Sequence, residues 1–163
     1  MGTLYCVSVG YLYAFVTMLI AEYRMIVGLA AGITILVCMA MFLLYRSGKV
    51  TVNNKLRTVV FTLIFANIVG VILLVICSFI PALTFIPAFF TGNGIISIAI
   101  SAVGVVIATL FVLIDFDTVA KAVENEIPVE NEWYCAFSLA FSVIWLFGKI
   151  FNLLVKVFAA AKK

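Results

Sequence analysis

The chain has 163 residues, of which 67% are hydrophobic and only 10% charged, with a mean hydropathy of +1.35. Such a composition excludes a soluble globular domain and points to a single-domain integral membrane protein. The formal net charge of +3 says less than where the charges fall along the chain.

Residues 3–21 carry no charge and predict a first membrane span. A signal peptide would need a basic start and a small-residue cleavage site, and neither is present, so a retained helix is expected. Glu22 and Arg24 mark a short turn before a second span over 25–44, where Gly28, Ala31 and Gly32 offer close packing. The loop 45–58 holds Arg46, Lys49, Lys55 and Arg57, so the positive-inside rule places it in the cytoplasm.

From Thr58 to Ile114 no residue is charged, a length suited to two crossings. Pro81, Pro87, Gly92 and Gly94 break that stretch into a third span over 59–80 and a fourth over 95–114. The fourth carries small residues at Ser97, Ser101, Gly104 and Ala108, a stripe that continues to Asp115. Asp115 and Asp117 close it, roughly 200° apart on a helix, so only one can face a given neighbour. The acidic loop 118–132 then lies inside again, two crossings after the basic loop. A fifth span over 134–157 ends outside with Lys156, Lys162 and Lys163, a placement that runs against the rule.

This last span predicts a central helix. Its polar residues Ser138, Ser142, Trp145, Lys149, Asn152 and Lys156 recur at alternating spacings of four and three, which keeps them within roughly 40° of one line. A helix has no reason to turn such a line toward lipid. The stripe either lines an ion path or acts as polar glue between helices.

Chemistry-bearing motifs are few. The four cysteines, Cys6, Cys38, Cys77 and Cys135, fall one per hydrophobic segment and read as small apolar residues. With no histidine, imidazole metal sites and histidine-based triads are excluded. No phosphate loop, dinucleotide fingerprint or nucleophile–base set is present, so neither catalysis, a cofactor nor nucleic-acid binding is expected. Asp115, Asp117 and Lys149 are the informative charges, because placing them in or near lipid is costly. Two readings compete. An aspartate and Lys149 lock two helices as an ion pair, or the carboxylates bind or gate a hard cation such as calcium, with Asp117 the best metal candidate.

Four pieces carry a resemblance: LYRSGKVTVNNKLRTVV, the DFDT motif of Asp115 to Thr118, PVENEWY from Pro128 to Tyr134, and WLFGKIFNLL in the last span. In order and spacing they resemble the bacterial branch of the Bax inhibitor-1-like family. The resemblance implies a bacterial cell-membrane bundle of seven helices around a central last one. It also implies a pH-sensitive calcium leak, with a role in stress response, controlled by two acids. One matches Asp117, and the other matches the position of Lys149. This chain departs from that pattern twice, by resembling only the last five helices and by carrying a lysine in place of the second acid. Lysine there opposes calcium, so altered gating is expected. The alternative is a membrane interaction protein that regulates a membrane-embedded partner such as a protease, or a transport-inactive short form. Expected partners are the lipid bilayer and calcium ions, with a second copy or another membrane protein as further candidates.

Overall fold

A computed structural model describes residues 7–11, 14, 24–48, 52–80, 94–125 and 129–161. Four long helices make up most of it: α1 (Arg24–Arg46), α2 (Asn54–Phe79), α3 (Ile95–Glu124) and α4 (Val129–Ala161). Residues 7–11 are also helical. Among the described residues there is no strand. All four long helices are long and apolar enough to cross a membrane, since lipid offers backbone groups no partner and a helix satisfies its own. Most of the expected first span, the hairpin at 81–93, and Glu126 with Pro128 lie outside the described residues.

Local chemistry fits these helices. In α2 the hydroxyls of Thr58, Thr62 and Ser78 donate to the carbonyls one turn back, at 2.9 Å each, so these hydroxyl hydrogens are not left facing lipid. The end of α1 is closed by Gly48, at a φ of +66°, with its N–H on the Tyr45 carbonyl at 3.1 Å. Only glycine adopts that left-handed backbone without penalty. Helix α3 does not stop at Ile114 but runs on to Glu124, so both aspartates sit on helix.

The α3–α4 pair is the most extensive packing in the molecule; α1 lies against both, and α2 against α3. Where α1, α3 and α4 meet, Ala30, Ala108, Val112, Leu146 and Ile150 form a buried core. The two alanines are fully buried, and their small side chains let the helices come close. By contrast α2 leaves Phe65, Ile68, Ile72, Leu73 and Ile76 more than half exposed, the pattern of a helix that faces lipid.

Candidate functional site

Helices α3 and α4 run antiparallel from a short connection, and their facing residues follow one register. Ser138 Oγ donates to Asp115 Oδ1 at 2.9 Å. About three turns farther from the connection, a Cβ on Gly104 would stand 3.6 Å from Lys149 Cδ. Next, Ser101 Oγ lies 3.5 Å from Asn152 Oδ1. Last, Lys156 Nζ donates to Ser97 Oγ at 2.7 Å and to Ser101 Oγ at 2.9 Å. The small residues of α3 thus leave room for the long polar side chains of α4. Ser142, fully buried, turns back to the Leu139 carbonyl of its own helix at 3.0 Å.

The seam divides into three levels. At one end lie the carboxylates. Asp117 is 5% exposed and is held from three helices. Arg57 of α2 reaches Oδ2 at 3.1 Å and Lys121, one turn on in α3, at 2.7 Å. The Tyr45 hydroxyl of α1 approaches Oδ1 at 3.4 Å. Arg57 also donates to Thr118 Oγ1 at 3.3 Å. Asp115, equally buried, points the other way, and its Oδ2 has no hydrogen-bond partner among the described residues. Two positions apart on a helix, the two carboxylates face different neighbours, as the roughly 200° between them requires.

The middle level is apolar. Phe61, Phe111 and Trp145 make edge-to-face contacts across α2, α3 and α4, with centroids 6.1 Å and 5.8 Å apart. Val112 and Leu146 are buried beside them.

At the far level a cavity of about 510 Å³ opens among α2, α3, α4 and the segment at Val9. Lys149, Lys156, Asn67, Asn152 and Ser101 give it polar walls. Lys149 Nζ donates to Asn67 Oδ1 at 3.3 Å and lies 5.5 Å from the centroid of the Trp145 ring, a cation–π distance.

The expected pairing of Lys149 with Asp117 or Asp115 is therefore not made. Among the described residues the ion pairs of Asp117 are to Arg57 and Lys121, while Lys149 sits at the level of Gly104. Gly104 and Asp117 are roughly 20 Å apart along α3 at 1.5 Å per residue. The cause is the register: α4 begins at Val129, and antiparallel helices joined by a short link face each other at equal distances from it.

No group of three or more metal-ligating side chains is present among the described residues. Asp117, the sequence-based metal candidate, already has both oxygens engaged. Sequence reasoning missed Tyr45, Arg57 and Lys121 as its partners, and Asn67 as the partner of Lys149. Asn67 had a signal, being the one amide side chain in the charge-free stretch of the third span.

No curated protein and no solved structure matches the chain. The family described as Bax inhibitor 1 like does, over residues 1–159. That match takes in the seam, the ion-paired Asp117 and the apolar helices that carry them, and with nearly the whole chain covered, this is a membrane protein of the Bax inhibitor 1 like family.

Proposed function

We propose that the protein is a small-ion leak protein of the membrane, closed at the carboxylate end of the seam and unfavourable to calcium at the other. The observation that carries this reading is Asp117, a buried carboxylate clamped by Arg57 of one helix and Lys121 of its own. A cross-helix ion pair of this kind has two arrangements. It is either made or broken, and separation of α2 from α3 at the end of the seam follows when it breaks.

Calcium selectivity is a separate matter. Two lysines border the cavity, and a fixed positive charge within a few ångströms in a low-dielectric setting disfavours a divalent cation by several kcal/mol. The leak is consequently weak for calcium in the native chain, whatever the state of the clamp.

Calcium flux into liposomes tests both parts. Lys149→Glu should raise flux several-fold over the native chain, and adding Asp117→Asn, which releases the clamp, should raise it again. No flux above protein-free vesicles in any of these proteins, each folded by circular dichroism, would overturn the reading in favour of a membrane interaction protein.

A further inference from the structure

We propose that the cavity at the far end of the seam is an oxyanion site, one that takes a phosphate group between Lys149 and Lys156. Three observations lead there. First, two ammonium groups two turns apart on α4 border one cavity of about 510 Å³, and no carboxylate pairs with either among the described residues. Two like charges at membrane depth cost several kcal/mol unless a counter-charge or water accompanies them. Second, the remaining polar groups are donors or can become so. Asn67 turns its amide oxygen to Lys149, which leaves its N–H₂ group to donate, and the Asn152 amide stands 3.5 Å from Ser101 Oγ, whose own hydrogen goes to the Ser97 carbonyl. Among the described residues Lys149 has one hydrogen-bond acceptor, the Asn67 oxygen, where an ammonium has three N–H groups to offer.

Third, the site is built to this shape. Gly104 leaves the room that the Lys149 stem occupies, and Ser97 with Ser101 fixes the Lys156 ammonium by two short hydrogen bonds. The volume falls within the usual range of small-ligand pockets. Ammonium–phosphate hydrogen bonds are charge-assisted and about twice as strong as neutral ones. Apolar walls from Val71, Leu74 and Ile100 suit a phosphate that arrives on a lipid as well as a free one. The inference does not depend on the leak reading, because binding is read without flux.

The test compares the native chain with Lys149→Met, Lys156→Met and Lys55→Ala, the last removing a charge far from the cavity. Each is placed in phosphatidylcholine nanodiscs and titrated calorimetrically with inorganic phosphate. Retention of phosphatidylglycerol through detergent washing is followed by native mass spectrometry. Phosphate binding weakened about tenfold or more by either methionine variant, and kept by Lys55→Ala, supports a free oxyanion ligand. Phosphatidylglycerol retention with the same dependence, without free phosphate binding, supports a headgroup ligand. Should Lys149→Met fail to fold, Lys156→Met reads the same dependence alone. Binding of neither probe, or binding indifferent to both lysines, overturns the proposal and leaves the lysines as polar links to Asn67, Ser97 and Ser101.

Discussion

Asp115 and Asp117 are two residues apart and equally buried, yet their surroundings differ in kind. Asp117 has two cations and a phenol; Asp115 has one serine hydroxyl and an orphaned oxygen. Neutralising Asp117 leaves Arg57 and Lys121 with no carboxylate, so Asp117→Asn should destabilise the protein by about 1–3 kcal/mol, discounted because both cations are partly exposed. Asp115→Asn replaces a buried carboxyl that has no cationic partner among the described residues and keeps the acceptor for Ser138. Its melting temperature in detergent should match or exceed that of the native chain. Equal losses from the two variants would contradict the difference in their environments. That the two acids diverge was legible from their spacing alone. Their partners were not, because Arg57 and Tyr45 approach from helices whose depth no local pattern in the sequence sets.

At the scale of the elements, the α3–α4 seam was half written in the chain. Small residues at Ser97, Ser101 and Gly104 and polar ones at Lys149, Asn152 and Lys156 already share one period in the sequence. Two matching periods, however, fix faces and leave the sliding position open. That position came from the start of α4 at Val129 and the short link before it, and it moved Lys149 away from the aspartates. Gly104 tests the resulting fit. A methyl there would meet Lys149 Cδ at an ordinary contact distance of 3.6 Å, and alanine favours a helix over glycine by up to about 1 kcal/mol. Gly104→Ala should therefore unfold no earlier than the native chain. Gly104→Leu has to displace the lysine stem, at a cost of about 1–3 kcal/mol from overpacking. Thermal unfolding in detergent reads both.

Across the whole molecule, the composition was enough to reveal a helical membrane protein, and the four long helices follow from lipid's refusal to hydrogen-bond backbone. What composition could not reveal is that the two ends of the seam are separate. The apolar level of Phe111, Val112, Trp145 and Leu146 stands between them. Asp117→Asn and Lys149→Met should accordingly act independently, their stability effects adding within about 0.5 kcal/mol. Asp117→Asn with Arg57→Gln, which share a bond, should show coupling of about 0.5–3 kcal/mol in the same double-mutant cycle. The reverse pattern would mean that the lysine and the aspartate meet after all.

That separation has an electrical consequence. At the carboxylate end of the helix pair Arg57 and Lys121 balance Asp115 and Asp117, whereas the two ammonium groups beyond the apolar level have no carboxylate partner among the described residues, so the charge on which a membrane voltage acts is concentrated at the lysine end. A potential of 100 mV is worth about 2.3 kcal/mol for each unit charge carried across the full thickness. Voltage therefore acts on the Lys149–Lys156 end more than on the Asp117 end, and reversing the polarity reverses that push along the axis.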